Sequence, residues 1–430
     1  MIARAFAVTC LLAATAAWGQ LSEAELRLVA AVKGRSPEAL KLLERTVRIN
    51  SGTMNAAGVR EVGKILRAEL DSLGFETRWV EMPPEMKRGG HLVATRKGGQ
   101  GKRLLLIGHL DTVFELESTV VPWDPSGERV RGQGVSDMKG GNVVMLEALR
   151  ALHAAGALDN TTVSVIFTGD EERVGSPQEV ARAAMVELAK ASDLALAFEA
   201  SARRRGGGHM ASYARRSAGG WTLTVSARPG HSGGVFSETS GYGAIYEAVR
   251  ILDEFRRTLI EPNLTFNPGM IAGGTNAKYD YDSATGNAFG KNNVIAREAV
   301  VSGDLRYLTP EQGERVKSRM REIVAASLPH AKATITFVEA YPPQAPTEAG
   351  ARLLEEFSKA SQDAGFGPIG AMDPALRGAG DVQFVAPYIP AIDGLGASGS
   401  GAHTDFEELE VASIERGAIR AAILIHRLTR

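Results

Sequence analysis

Histidine and carboxylate side chains follow several short apolar runs in this sequence, and together they have the chemistry of a metal site. The residues concerned are His109, Asp111, Glu171, Glu172 and Glu199. If the apolar runs are parallel strands, their carboxyl ends lie side by side, where open α/β sheets bind ligands. Imidazole and carboxylate groups are ligands of catalytic zinc, which acidifies water. The pattern therefore indicates a metal-dependent hydrolase.

A glycine-rich stretch, Gly132-x-Gly134-x-x-Asp137, precedes a helical segment. It lies between the apolar run that ends at His109 and the one before Glu171. It resembles a dinucleotide-binding fingerprint, but that fingerprint needs a third glycine and a strand directly before it. Here the third position is Asp137, and a carboxylate would repel a pyrophosphate. An aspartate that bridges two metal ions suits the pattern better.

Each of these motifs has a plainer interpretation when it is taken alone. A single His-x-Asp is common at the end of a strand, Glu199 is typical of a surface carboxylate, and an acidic run is usually solvated. Clustered carboxylates directly after a buried strand, however, repel one another unless cations neutralise them. Of two adjacent glutamates such as Glu171 and Glu172, one can bind metal while the other accepts a proton from water. Asp111 is placed to fix the imidazole tautomer of His109.

The elements that must position these residues alternate between strands and helices. This order predicts an α/β fold, with a mostly parallel sheet flanked by helices. After a basic, glycine-rich stretch the pattern changes to a β-α-β-β-α-β order, which is typical of a ferredoxin-like α+β domain. We expect residues 21–216 and 341–430 to form the catalytic domain and residues 217–340 to be inserted into it. The polar stretch 269–292 has no readable pattern.

The first twenty residues differ in composition from the rest of the chain. Arg4 supplies a positive charge, residues 5–17 are apolar and mostly small, and Ala17-Trp18-Gly19 offers a cleavage site. We interpret residues 1–20 as a signal peptide, with an uncut anchor as the alternative. The protein is therefore expected to be exported, either periplasmic or secreted. The only cysteine, Cys10, lies in this leader, so the mature chain would have no disulfide.

Bulk composition excludes some classes of partner. The chain has 430 residues and a formal net charge of −1, so nothing favours binding to nucleic acid. The hydrophobic fraction of 44% and the charged fraction of 23% are those of a soluble globular protein.

The motifs taken together resemble a known family. Gly108–Val113, Gly134–Gly141, Asp170–Glu172 and Phe198–Glu199 occur in this order and at family-like spacing. They are similar to the co-catalytic zinc carboxypeptidases and deacylases, which include glutamate carboxypeptidase, acetylornithine deacetylase, succinyl-diaminopimelate desuccinylase and aminoacylase. The resemblance covers residues 36–430 and is closest to glutamate carboxypeptidase.

This resemblance implies a role for each residue of the site. His109 and Glu199 would bind one zinc ion, Glu172 and His403 the other, and Asp137 would bridge them. Glu171 would be the general base. Manganese or cobalt would fit the same ligands. His403 follows only from the resemblance, because it lies far along the chain from the other ligands.

The inserted domain carries further positions that match the family. The resemblance implies that His231 reaches the active site from the partner subunit of a homodimer formed through this domain. It also implies that Asn293 and Arg306 hold the substrate's α-carboxylate, for which the guanidinium fork is suited. Ala296 replaces a proline usual in the family, and no threonine separates Gly380 from Asp381 as in the carboxypeptidases. Both departures concern the substrate side.

We therefore expect an exported di-zinc hydrolase that cleaves an amide bond of a small peptide or N-acyl amino acid. It would release a C-terminal amino acid with a free α-carboxylate, and glutamate is the first to test. An N-acyl-amino-acid deacylase or a dipeptidase is the alternative within the class. Outside it stand a non-catalytic metal-binding relative and a serine hydrolase, for which Ser232 beside His231, or Ser398 and Ser400 near His403, would be the candidates.

Overall fold

The computed structural model describes residues 21–204, 207–281 and 283–430. The expected leader, residues 1–20, lies outside these described residues. Within the described ranges, no helix is both long enough and apolar enough to cross a membrane.

Helices and strands alternate in the first part of the chain. The helices are α1 (Glu23–Lys33), α2 (Ser36–Val47), α3 (Ala56–Ser72), α4 (Gly140–Ala154), α5 (Gln178–Ala181) and α6 (Ala183–Lys190). The strands are β1 (Glu76–Val80), β2 (His91–Arg96), β3 (Gln100–His109), β4 (Asp124–Ser126), β5 (Arg129–Arg131), β6 (Thr161–Thr168), β7 (Leu194–Ala197), β8 (Ala202–Arg203) and β9 (His209–Ala211).

The rest of the chain first builds the inserted domain, which we call the lid, and then returns. The lid elements are β10 (Ala218–Ala227), α7 (Ala244–Thr258), β11 (Thr265–Gly274), β12 (Asn276–Asp280), β13 (Thr285–Phe289), β14 (Glu298–Arg306), α8 (Pro310–Ala325) and β15 (Ala331–Tyr341). The returning elements are α9 (Glu348–Asp363), β16 (Ile369–Ala371), α10 (Val382–Val385), β17 (Ala391–Asp393), β18 (Gly399–Ser400), β19 (Glu408–Glu410) and α11 (Ala412–Leu428).

Several helices begin at side chains that cap their free N–H groups. Ser22 accepts a hydrogen bond from the Glu25 amide in a capping box. Thr309 and Thr347 cap α8 and α9 by accepting hydrogen bonds from the amides of Gln312 and Gly350. These caps satisfy backbone donors that the first helical turn leaves unpaired, and they fix where each helix starts.

The larger sheet has the strand order β1-β2-β6-β3-β7-β17. β6, β3, β7 and β17 are parallel, whereas β2 runs antiparallel to both of its neighbours, β6 and the edge strand β1. α4 and α11 are buried on most sides and share the main core with this sheet. The predicted mostly parallel sheet flanked by helices is confirmed.

The lid has its own sheet, with the order β11-β14-β10-β15 and all neighbours antiparallel. Alternate residues of β10, namely Trp221, Leu223 and Val225, are buried in a second core that α7 and α8 cover. This is the predicted ferredoxin-like order, in which two helices cover one face of a four-stranded sheet.

The polar stretch 269–292, which had no readable pattern, contains the end of β11 and a hairpin made by β12 and β13. The two hairpin strands pair from Asn276↔Phe289 to Asp280↔Thr285. Most side chains of this two-stranded ribbon are exposed or half-buried. It therefore lacks the apolar alternation from which a strand is predicted.

The chain passes between the two sheets twice, and the two passages are joined. Arg215 and Gln344 exchange backbone hydrogen bonds of 3.0 Å each. Gln383 is fully buried and its side-chain amide donates to the carbonyl oxygens of Arg216 and Pro342, one on each passage. The lid is therefore attached through two hydrogen-bonded segments.

Candidate functional site

The carboxyl ends of β3, β6 and β7 lie together at one edge of the larger sheet. His109 ends β3 and is paired in register with Thr168, which ends β6, and Ile107 is paired with Ala197 of β7. The segments that follow β6 and β7 carry Glu171, Glu172 and Glu199. The parallel register therefore gathers side chains that are distant in sequence, as expected for this sheet type.

The carboxylate of Asp137 lies between two histidines. Its Oδ1 is 3.2 Å from Nε2 of His109, and its Oδ2 is 3.0 Å from Nε2 of His403. Glu199 Oε1 is 3.4 Å from the same nitrogen of His109, and Glu172 Oε2 is 3.3 Å from the same nitrogen of His403. The arrangement consists of two histidine–carboxylate pairs that share one aspartate.

One ring nitrogen of His109 is held by Asp111. Its Nδ1 lies 3.0 Å from the main-chain carbonyl oxygen of Asp111 and 3.4 Å from the carboxylate of the same residue. Both oxygens are acceptors, so Nδ1 carries a proton, whereas Nε2 faces the carboxylates of Asp137 and Glu199 and would be the ligand atom for a bound metal ion. The nearer partner is the carbonyl group, not the side chain that the sequence suggested.

The carboxylate of Asp111 contacts the segment that carries the two glutamates. It accepts hydrogen bonds from the amides of Glu171 (3.0 Å) and Glu172 (3.1 Å) and from the hydroxyl of Thr53 (2.6 Å). Asp111 is fully buried, and burial raises its pKa. Hydrogen bonds to His109 and Thr53 outweigh that effect, so the pKa is lowered overall and the group stays ionised.

The loop that carries Asp137 is fixed by Glu407, a residue that the sequence analysis missed. The buried carboxylate of Glu407 accepts hydrogen bonds from the amides of Gly134, Ser136 and Asp137 at 2.8–2.9 Å. Glu407 lies four residues after His403, so it ties the loop of one histidine to the loop of the shared aspartate. Sequence offered only a weak signal, because Glu407 lies in the acidic run Asp405–Glu410.

Negative charge is crowded at the site. Burial raises the pKa of Glu172 to about 7, and neighbouring Asp137 contributes to the rise. Burial also raises the pKa values of Glu171 and Glu199. Hydrogen bonds to Asp137 and Glu172 raise the pKa of His403 to about 11. Carboxylates in this situation are stabilised in their ionised form by bound cations.

The donor set fits a pair of divalent cations. Two imidazole nitrogens and several carboxylate oxygens converge, which is the ligand chemistry of zinc and of manganese or cobalt. His109, Asp137 and Glu172 each offer one ligand atom within 4.8 Å of the others. In addition, Oε1 of Glu172 is buried and has no hydrogen-bond partner among the described residues.

Comparison with known proteins identifies the family of the chain. Residues 105–427 match the model of the peptidase family M20/M25/M40. The chain belongs to this family. It is therefore a hydrolase of the metallopeptidase and amidohydrolase class, as its sequence motifs indicated, and the family is metal-dependent.

Curated relatives of this M20/M25/M40 chain include peptidases and deacylases. Carboxypeptidase G2 from Pseudomonas sp. is 29% identical over 407 residues, which cover 93% of this chain and 91% of the relative. A succinyl-diaminopimelate desuccinylase from Rhodospirillum centenum is 25% identical over 404 residues, covering 90% and 97%.

Solved structures of low sequence identity share the fold. Aminopeptidase PepT from Bacillus cereus superposes with a TM-score of 0.70 at 18% identity and covers 92% of this chain and 99% of its own. A family M20 metallo-carboxypeptidase from Sulfolobus solfataricus gives a TM-score of 0.63 at 15% identity, with 91% and 99% covered.

In this M20/M25/M40 chain, a cleft of about 480 Å³ opens over the two histidine–carboxylate pairs. The acidic residues Asp137, Glu171, Glu172 and Glu199 and the imidazole of His403 line it. Three guanidinium groups and a phenol also line it; they belong to Arg215, Arg306, Arg377 and Tyr341. A cleft lined both by metal-type ligands and by guanidinium groups suits an anionic substrate.

The arginines differ in their contacts. Arg215 is buried, donates to the carbonyl oxygen of Gly378 at 2.6 Å and pairs with Asp393, which also accepts from the amide of Glu199. Arg377 donates to the carbonyl oxygen of Ala200 at 3.0 Å. Arg215 therefore supports the site, whereas Arg377 adds a positive charge to the cleft near Glu199. Arg377 lies three residues before Gly380, where the sequence departs from the carboxypeptidases, but Arg377 itself had no signal in sequence.

Two of the expected lid residues lie together but away from the cleft. His231 forms an isolated backbone bridge with Val294, and the carbonyl oxygen of Asn293 accepts from the amide of Ser232 at 3.0 Å. Both side chains are exposed. Among the described residues, those that line the cleft include Arg306 of the lid but neither His231 nor Asn293.

Proposed function

We propose that this chain is an exported di-zinc carboxypeptidase-type hydrolase. It would cleave an amide bond and release a C-terminal amino acid with a free α-carboxylate, glutamate first. The observation that carries the proposal is the shared Asp137 between two histidine–carboxylate pairs, next to Glu171, in a cleft that contains arginines. Export rests on the leader pattern at residues 1–20.

The metal ligands proposed are His109 and Glu199 for one ion, Glu172 and His403 for the other, and Asp137 for both. A bound pair of zinc ions would supply Lewis acidity, which lowers the pKa of water and polarises a carbonyl group.

Glu171 is placed to move protons. Its side chain lines the cleft, and its burial, together with the neighbouring carboxylates, raises its pKa so that it both accepts and returns a proton readily. In this proposal its carboxylate takes a proton from the attacking water and delivers it to the leaving nitrogen. Because the amide of Glu171 is held by Asp111, the residue keeps its orientation between these two transfers.

Arginines provide the binding energy for carboxylates in this proposal. Arg377 lies on the catalytic domain and Arg306 on the lid, and both line the cleft. A guanidinium fork pairs with both oxygens of a carboxylate. Two such groups on different domains favour a dicarboxylate leaving group such as glutamate. Asn293 lies beside His231 outside this cleft, so in this proposal it assists Arg306 in the site of a partner chain. The similarity to carboxypeptidase G2 supports a carboxypeptidase.

The test is amino-acid release by metal-stripped protein with and without added zinc. The panel comprises N-acyl amino acids and dipeptides, and each is matched by its α-methyl ester as a control. We expect zinc-dependent release only from substrates with a free α-carboxylate, fastest for glutamate. Equal release from the esters would contradict the carboxylate-binding role of the cleft. No release with zinc, manganese or cobalt would contradict the proposal as a whole.

A deacylase is the second candidate, because a succinyl-diaminopimelate desuccinylase matches the chain over most of its length. The same panel separates the two. A deacylase would prefer N-succinyl or N-acetyl amino acids, whereas a carboxypeptidase would prefer peptidyl or larger acyl groups.

A homodimer through the lid is part of the proposal. Large apolar side chains are exposed around the start of α7: Phe236, Tyr242, Ile245, Tyr246 and Val249. The ring of Phe236 lies 5.5 Å from those of both Tyr242 and Tyr246. Contiguous exposed apolar patches mark sites of protein contact. A second copy of the chain at this patch would also account for the position of His231 outside its own cleft.

His231→Ala is expected to lower turnover without lowering metal content, because in this proposal the imidazole stabilises the oxyanion in the partner's site. The readouts are kcat and metal per chain. A mixture of His231→Ala and Glu171→Ala chains should regain activity, because hybrid dimers contain one site with both residues intact. The control is His330→Ala, an exposed lid histidine bonded to the Glu238 carbonyl oxygen. Metal loss in His231→Ala, or no regain on mixing, would contradict this role.

A further inference from the structure

The last residue of a lid strand contacts the residue proposed as the base. Tyr341 ends β15, where it pairs with Ala218 at the start of β10. Its hydroxyl donates a hydrogen bond of 2.5 Å to the main-chain carbonyl oxygen of Glu171. Tyr341 therefore belongs to the lid sheet by its backbone and to the catalytic site by its side chain.

The main chain of Glu171 is held from both sides. Its amide donates to Oδ1 of Asp111 at 3.0 Å, and its carbonyl oxygen accepts from Tyr341. Asp111 is fully buried in the catalytic domain. One of the two contacts that orient Glu171 therefore comes from the catalytic domain and the other from the lid.

The ring of Tyr341 is itself held by packing on the catalytic domain. It lies 5.2 Å from the ring of Phe384, whose other contacts include the guanidinium of Arg182 at 5.2 Å. Arg182 is buried and pairs with Asp170 at 2.5 Å, directly before Glu171 in sequence. Packing therefore fixes the ring in a position from which its hydroxyl bonds to the carbonyl oxygen of Glu171.

We propose that Tyr341 is a positioning residue, which fixes Glu171 in the orientation for proton transfer and makes that orientation depend on the position of the lid. The inference rests on the proposed role of Glu171. It assigns to Tyr341 no contact with substrate. Its hydroxyl is bonded to the main chain of Glu171, and loss of this bond would loosen the segment without removing a metal ligand.

Tyr341→Phe removes the hydroxyl and keeps the ring. A single hydrogen bond contributes modestly, so we expect kcat to fall roughly threefold to tenfold, with KM and metal content unchanged. The matched control is Tyr307→Phe, which removes a lid hydroxyl bonded to Glu339 at 2.8 Å and should leave kcat unchanged. An unchanged kcat in Tyr341→Phe, or a rise in KM alone, would overturn the inference.

A double-mutant cycle tests whether Tyr341 acts through Glu171. In a Glu171→Ala background, Tyr341→Phe should not lower the residual rate further, because the group that it positions is gone. A further fall of the same size would mean that the phenol acts on the substrate directly, which would overturn the positioning role.

Hydrogen exchange supplies a readout that does not require a substrate. The peptide that contains Glu171 should exchange its amide hydrogens faster in Tyr341→Phe than in wild type or Tyr307→Phe. If wild type cleaves no substrate but this difference is seen, the proposed function fails and the positioning contact stands. If wild type is active and neither exchange nor kcat changes, the positioning role fails alone.

Discussion

Glu171→Ala is expected to bind metal as the wild type does and to lose most of its turnover. The contacts that join His109 and His403 to carboxylates involve Asp137, Glu172 and Glu199. Glu171 lines the same cleft, but among the described residues its carboxylate pairs with neither histidine, so we expect it to act as a base and not as a ligand. General base catalysis contributes roughly 10²- to 10⁴-fold, so kcat should fall by about that factor.

The measurements are kcat with the best substrate of the panel and metal per chain by elemental analysis. Glu171→Gln keeps the size of the side chain and should fall as far as the alanine variant. Glu179→Gln, an exposed glutamate eight residues further on, is the matched control and should behave as wild type. A nearly normal rate in Glu171→Ala with full metal content would show that another group accepts the proton.

Residues that follow buried strands were predictable, because a parallel sheet brings its carboxyl ends to one edge. His109, Glu172 and Glu199 lie where that argument places them, around Asp137. His403 could not be found in this way. It lies 266 residues from Asp137, in a loop with no strand pattern. Its backbone has a positive φ of 65°, which cannot be predicted from the local sequence. Only the resemblance to known enzymes pointed to it.

The residues that support the site were the least predictable. Glu407 accepts three backbone hydrogen bonds, but sequence does not show which glutamate of an acidic run is buried. Arg377 and Tyr341 line the cleft because loops and a lid strand fold over it. Such contacts depend on tertiary packing, not on local periodicity. The same holds for the hairpin of β12 and β13, whose exposed residues carry no strand pattern.

Asp137→Asn is expected to lower the affinity for both metal ions and to abolish turnover. The two carboxylate oxygens of Asp137 face different histidines, at 3.2 and 3.0 Å. An amide has one oxygen and no charge, so it cannot serve both positions. Loss of an outer partner of a metal ligand costs roughly 10- to 100-fold in affinity, and loss of a shared ligand should cost more at each position. Metal titration by calorimetry and elemental analysis measures the effect.

The number of ions lost per substitution decides whether Asp137 is shared. Glu199→Ala and Glu172→Ala each remove a carboxylate next to one histidine. Each variant should therefore bind one ion more weakly and bind the other as the wild type does. Asp137→Asn should lower the affinity for both ions. Asp124→Asn, at an exposed position on β4, should lower the affinity for neither. If Asp137→Asn lost a single ion, the two histidine–carboxylate pairs would be independent sites. Glu407 holds the loop of Asp137 and follows His403 by four residues. Glu407→Gln should therefore also lower the affinity for both ions, but by less than Asp137→Asn.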